Sequence, residues 1–230
     1  MNPGKLLVRT MWQSVLWLGF MAVLLFGPAG DWGWPQGWAF IAIFALGTVF
    51  MVAWLLPRDP ALLASRMGSP IQKGQALWDR IFMGFVVVGW CVWLVAMALD
   101  AGRWHRGQMP VWLEVVGGLM MIAGFAAIMP VFAVNSYAAP VVRVQDERAQ
   151  RVIDTGPYAI VRHPMYAVAS LYVFGMPLLL GSWYGLIGSV LLMVGIGWRA
   201  VKEEQTLRSG LAGYADYMAR VRYRLIPYVW

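Results

Sequence analysis

Two short segments carry most of the chemistry that this sequence offers. Arg199-Ala200-Val201-Lys202-Glu203-Glu204 sets two cations and two carboxylates within six residues. On a helix, Arg199 and Glu203 are four apart and share a face, and Leu207 continues it. Glu204 points about 100° away. Such a face can hold an ammonium or a hydroxyl on its carboxylate and an anion on its guanidinium. The second segment is Thr155-Gly156-Pro157-Tyr158-Ala159-Ile160-Val161-Arg162-His163-Pro164-Met165-Tyr166. His163 is a candidate base or hydrogen-bond donor, and the tyrosines offer aromatic walls. Each piece also has a plainer reading. The 199–204 stretch is then a solvated helix end with a surface ion pair. Arg162-His163-Pro164 is a helix start with proline in its first turn, and 155–158 is a turn.

The elements that must position these residues are apolar. The 230-residue chain is 60% hydrophobic and 13% charged, against about a quarter charged in an average soluble domain. Five blocks, 10–30, 32–57, 81–99, 115–142 and 164–198, contain no Asp, Glu, Lys or Arg. About 20 apolar residues span a bilayer core. An all-α polytopic transmembrane helical bundle follows. A soluble enzyme, a disordered tail and a disulfide-stapled domain are excluded. The fifth block is too long for one span, and Pro177 and Gly181-Ser182 read as a break within it. It is expected to form two short helices, about 165–180 and 183–200, meeting in a tight hairpin. With spans at about 11–28, 36–56, 80–99 and 111–134, this makes about six membrane segments. The segment at 1–10 leads straight into a span with no cleavage pattern. One domain over 1–230 is the simplest organisation, with N-terminal spans to 134 and a cofactor-binding catalytic core over 135–230.

Positive charge sets the orientation. Sixteen Lys and Arg fall on one side, Lys73 among them; only Arg103 and Arg106 fall on the other. The crowded side is expected to be cytoplasmic, with both termini inside. The net charge of +7 is then a product of topology; its counterpart is membrane lipid rather than nucleic acid. Trp32, Trp34, Trp38, Trp104 and Trp112 suit the opposite interface as anchors. The one cysteine, Cys91, and two histidines, His105 and His163 on opposite sides, leave no basis for a metal centre.

The loop at 135–166 mixes charge with Val, Ile and Tyr, which suggests an ordered segment. It enters the hairpin on the side where 199–207 leaves it, so the two are expected to be neighbours. Taken together, Gly156-Pro157-Tyr158, Arg162-His163-Pro164-Met165-Tyr166, Glu203-Glu204, Leu207, Tyr214, Tyr217 and Arg224-Leu225-Ile226-Pro227 form an ordered pattern. It resembles that of the isoprenylcysteine carboxyl methyltransferase family of integral membrane methyltransferases and their phospholipid-methylating relatives. The resemblance covers about 135–227. Asp59-Pro60-Ala61-Leu62-Leu63-Ala64-Ser65-Arg66 and Trp78-Asp79-Arg80 are similar to upstream features of bacterial members. Val168 departs from the glycine that many members carry there.

The resemblance implies S-adenosylmethionine as methyl donor, bound in a cytoplasmic pocket; no G-x-G-x-x-G occurs in the chain. By motif position, donor contacts are expected from Gln145, Gln150, Arg151, Val152, Ile153, Tyr158, His163, Pro164, Met165, Tyr166, Arg199 and Glu203. Arg199 can pair with a carboxylate of donor or acceptor. An ionised acceptor needs no base; an amine or hydroxyl would need His163 or Glu204. The expected catalytic residues are thus Arg199, His163 and Glu204. The expected acceptor is lipophilic or prenylated, most simply an isoprenylcysteine-type carboxylate. It would enter from the bilayer, with Met120, Met121, Phe125, Met129 and Phe132 candidates for the route or for plain helix packing. A bacterial inner membrane is the expected location. A small thiol or a phospholipid amine are alternative acceptors. An NADPH-dependent sterol- or enone-type reductase is an alternative enzyme, disfavoured because Glu203-Glu204 would repel the 2′-phosphate. A transporter or scaffold would leave the polar segments unexplained.

Overall fold

The computed structural model describes residues 2–69, 71–72, 74–105 and 109–230. Lys73 and Arg106, counted above for orientation, and the first residue of the 1–10 segment lie outside the described residues. The chain forms α1 (Pro3–Ala29), α2 (Pro35–Arg58), the short α3 (Pro60–Arg66), α4 (Leu77–Met97), α5 (Val111–Val134), α6 (Pro164–Leu180), α7 (Trp183–Gly210) and α8 (Tyr214–Arg220). A π-helical turn, Ala98–Trp104, extends α4. Among the described residues, five helices are long and apolar enough to cross a membrane: α1, α2, α4 with its extension, α5 and α7. The chain is an all-α polytopic membrane bundle. Val8, Leu46, Phe85, Leu119, Leu191 and Val194 stand exposed around it, as suits side chains in contact with lipid rather than water.

The break in the last apolar block falls at Gly181-Ser182. Gly181 takes the left-handed conformation (φ 77°) that ends α6. Ser182 then caps α7, its Oγ accepting from the Gly185 amide at 3.0 Å. Pro177 lies inside α6 rather than at the break. α7 does not stop near 200 but continues to Gly210. Its polar end is packed against other elements and so stays helical.

Glycine sets the closest helix contact. A Cβ on Gly117 of α5 would lie 2.3 Å from the Leu179 amide nitrogen, and one on Gly175 of α6 would lie 2.8 Å from the Gly117 carbonyl. Bare backbones therefore meet here, within one chain. Met121, Phe125, Met129 and Phe132 are buried in helix packing. Of the tryptophans read as anchors, Trp32, Trp38, Trp104 and Trp112 are exposed, but Trp34 is buried in the core beside Phe26 and Gly102.

Candidate active site

The cavity lies where the 135–163 loop, the start of α6, the end of α7 and α8 converge. It takes in about 770 Å³ of space between atoms, open solvent at its mouth included. The loop is held by its own polar groups and by one from α8. In the loop, Gln145 donates to the Tyr137 carbonyl (2.9 Å) and accepts from Arg148 (3.0 Å), while the Gln150 side chain accepts from the Gln145 amide (2.8 Å). The Asn135 side-chain amide donates to the Tyr158 hydroxyl (2.6 Å), and the Tyr217 hydroxyl of α8 donates to the Tyr158 carbonyl (2.8 Å). Burial pushes the Tyr158 phenol up to about 12, with the Asn135 contact opposing. It is therefore neutral at physiological pH.

Ten of the expected donor-site residues line this cavity: Gln145, Gln150, Arg151, Val152, Ile153, Tyr158, His163, Met165, Tyr166 and Glu203. The faces predicted for 199–204 appear as contacts. Glu203 accepts from the Tyr166 hydroxyl at 2.6 Å, and the Arg199 guanidinium carbon sits 5.6 Å from the centre of the same ring. The His163 imidazole stacks on Tyr166, 5.4 Å between centroids and 7° from parallel.

Arg199, Glu204 and Pro164 do not line the cavity. Arg199 and Glu204 are not solvated either; both are buried. Arg199 Nε donates to Asp79 Oδ1 at 2.9 Å, and its Nη2 donates to the Pro140 carbonyl at 2.8 Å. Its carboxylate is thus one of the protein's own. Asp79, 0% exposed, also accepts from the Gln75 side chain (2.8 Å) and the Val142 amide (2.9 Å). Glu204 is engaged on both oxygens. Arg162 Nε donates to Oε1 at 2.6 Å, with His163 Nε2 at 3.3 Å, and Arg224 Nε donates to Oε2 at 2.9 Å. Pro164 is the first residue of α6.

The C-terminal tail closes the site from behind. The Arg162 and His163 amides donate to the Tyr223 and Arg224 carbonyls (2.9 and 2.8 Å). Arg162 Nη1 donates to the Val221 and Arg222 carbonyls (2.7 and 2.8 Å). This joins Arg162-His163-Pro164, Glu203-Glu204 and the Arg224 segment, far apart in sequence, into one assembly.

Several cavity residues were not singled out as contacts in the sequence. Asn135, Tyr137, Leu207, Leu211, Tyr214 and Tyr217 belong to the wall, as does Arg143. Arg143 pairs with Glu147 at 2.6 Å through Nη1, but its Nε is buried with no hydrogen-bond partner. A buried guanidinium N–H left unpaired in a cavity wall is costly and suits an anionic group within the cavity. Its basic type in a polar loop was the one available signal, and topology accounted for it.

The residues fit S-adenosylmethionine. Arg143 offers a donor for the carboxylate, Glu203 an acceptor for the ammonium or the ribose, and the tyrosines flat walls for adenine. A comparison with curated proteins gives no match. Residues 112–211, from the start of α5 to the end of α7 and including every expected site residue, match the phospholipid methyltransferase family.

Proposed function

We propose that this chain is an S-adenosylmethionine-dependent integral membrane methyltransferase whose acceptor is an isoprenylcysteine-type carboxylate. The observation that carries this reading is a polar, aromatic-walled cavity at the ends of apolar helices, all of its wall but Tyr214 and Tyr217 inside a stretch matching a methyltransferase family. In this reading 1–230 is one methyltransferase domain with six crossing segments, α6 and α7 forming the last hairpin. Both termini and the cavity face the cytoplasm of a bacterial inner membrane.

When bound, the cofactor would supply an electrophilic methyl group with a neutral thioether as leaving group. The chain's residues bind and orient. Arg143, Glu203, Tyr158, Tyr166 and the 150–153 strip hold the donor. His163, stacked on Tyr166, fixes the wall beside Glu203. Arg199 and Glu204 are positioning residues: one sets Tyr166 from beneath, the other ties Arg162 and His163 to the tail. Pro164 sets the first turn of α6. Catalysis is then positioning and desolvation.

The acceptor assignment rests on the state of the carboxylates. Glu204 is saturated by cations and Glu203 is engaged by Tyr166. An acceptor already ionised at neutral pH requires no base, and a carboxylate is ionised above about pH 4. A second reading is a phospholipid amine acceptor, with His163 as base. The match to the phospholipid methyltransferase family and the place of His163 in the cavity wall favour it. Incubating the purified protein with labelled S-adenosylmethionine separates the two, with N-acetyl-S-farnesylcysteine or phosphatidylethanolamine as acceptor. Base-labile methyl ester on the first supports the carboxylate reading. Stable N-methyl label on the second alone replaces it.

A further inference from the structure

Arg66, the last residue of α3, is the second guanidinium of interest, and it stands on the other side of the cavity wall from Arg143. Its Nη1 donates to the Ala138 carbonyl at 2.9 Å and lies 3.7 Å from the Met165 sulfur. Its carbon sits 4.7 Å from the centre of the Phe132 ring. Ala138 and Met165 line the donor cavity with Tyr158. Phe132, Met165, Tyr158 and Val168 belong to the apolar cluster that joins α2, α3, α5 and α6. Arg66 therefore sits between the polar cavity and this buried apolar cluster.

Among the described residues no carboxylate pairs with Arg66. Its Nε and Nη2 donate to nothing there, and the titratable groups that act on it are the phenols of Tyr172 and Tyr158. Other guanidinium groups nearby do have carboxylates: Arg199 has Asp79, and Arg162 and Arg224 have Glu204. Burial pulls the Arg66 guanidinium down to about 10, so it keeps its charge at neutral pH. Arg66 is half-buried, so an arriving anion can reach the guanidinium, and partial burial strengthens a charge pair formed there. With one nitrogen fixed, the two free nitrogens form the fork that binds carboxylate or phosphate.

We infer that Arg66 is the acceptor's anion-recognition residue: it binds the carboxylate or phosphate of a lipid-tailed acceptor. This deepens the methyltransferase reading and rests on it for the word acceptor. The two anion sites are then divided. Arg143 serves the donor inside the cavity, and Arg66 serves the acceptor from the membrane side. Arg66 repels a lone alkylammonium, which makes it a selectivity device. A carboxylate loses its charge as it is methylated, so its attraction to Arg66 is strongest before the transition state. Arg66 therefore contributes to acceptor affinity and not to the rate of transfer.

The test uses full-length protein in nanodiscs. S-adenosylhomocysteine is titrated first, then N-acetyl-S-farnesylcysteine, its carboxamide and phosphatidylethanolamine at saturating S-adenosylhomocysteine. Expected is binding of an anionic probe at least tenfold tighter than the carboxamide. Arg66→Gln should remove that preference while S-adenosylhomocysteine affinity stays within twofold. In turnover it should raise the acceptor KM about tenfold with kcat within twofold. If the farnesylcysteine arm carries the effect, the anion is a carboxylate; if the phospholipid arm does, it is a phosphate. Arg66→Lys keeps the charge without the fork, and serves if Arg66→Gln does not fold; it should bind the probe several-fold more weakly. The inference is overturned if neither N-acetyl-S-farnesylcysteine nor phosphatidylethanolamine binds the wild-type protein, or if both bind the variants as they bind the wild type. Anion binding that depends on Arg66 without any S-adenosylhomocysteine binding would keep the anion site and remove the methyltransferase reading instead.

Discussion

Asp79 and Arg199 form a buried ion pair at 2.9 Å across 120 residues of sequence. It ties the start of α4 to α7, and through the Val142 amide and the Pro140 carbonyl it anchors the cavity loop. Asp79→Ala leaves a buried guanidinium without its partner, a loss of about 3–5 kcal/mol. We expect a large fall in the unfolding midpoint of the detergent-solubilised protein. The double change Asp79→Ala/Arg199→Met should recover much of that stability, because no charge is stranded. Equal loss in the single and double variants would contradict the pairing.

Glu204 is the hub on which Arg162, His163 and Arg224 converge. Glu204→Gln keeps the shape but removes the charge that holds Arg162, His163 and Arg224. The expected result is weakened S-adenosylhomocysteine binding, about tenfold or more, together with increased proteolysis of the C-terminal tail. Donor affinity unchanged, with the tail still protected, would remove Glu204 from the positioning role.

Glu203 faces the cavity itself. Glu203→Ala should abolish detectable donor binding while leaving the protein folded. Tyr166→Phe removes only the hydroxyl that donates to Glu203, so a loss of about 1 kcal/mol, fivefold in affinity, is expected. Isothermal titration with S-adenosylhomocysteine measures both. An inverted order, with Tyr166→Phe the more damaging, would move the donor contact to the phenol.

The pH profile separates the two acceptor classes. A carboxylate acceptor is ionised throughout the range where the protein is stable, so kcat/KM should be flat from about pH 6 to 9. A profile rising through a single ionisation near pH 7 would point to a base and to an amine acceptor.

How much of this was legible in the sequence depends on whether the cause is local. The break at Gly181-Ser182 is local: a glycine able to turn left-handed, then a serine able to cap. The neighbourhood of 145–166 with 199–207 followed from chain order on one membrane face. The i, i+4 spacing put Arg199 and Glu203 on one helix face, and both meet Tyr166 there; that Tyr166 is what they meet was not in the spacing. Spacing also said that Glu204 looks elsewhere, but it could not say that Arg162, His163 and Arg224 meet it there. Asp79 reads in sequence as an acid in a helix's first turn; its partner lies in a different helix, and only packing joins them. Trp34 reads as an interface anchor by type, yet Gly37 and Gly102 leave room for its ring in the core. Arg66 and Arg143 were absorbed into the charge asymmetry, because topology explains a basic residue without asking what it touches.

The central claim is that the cavity at the ends of α6 and α7 binds S-adenosylmethionine. The most direct measurement is the thermal stability of the purified, detergent-solubilised protein titrated separately with S-adenosylmethionine, S-adenosylhomocysteine and NADPH. A ligand at 100 times its dissociation constant stabilises by about 2.7 kcal/mol. The account predicts stabilisation by the two adenosyl compounds, lost in Glu203→Ala, and none by NADPH. Stabilisation by NADPH alone, or by none of the three in a folded sample, would contradict it.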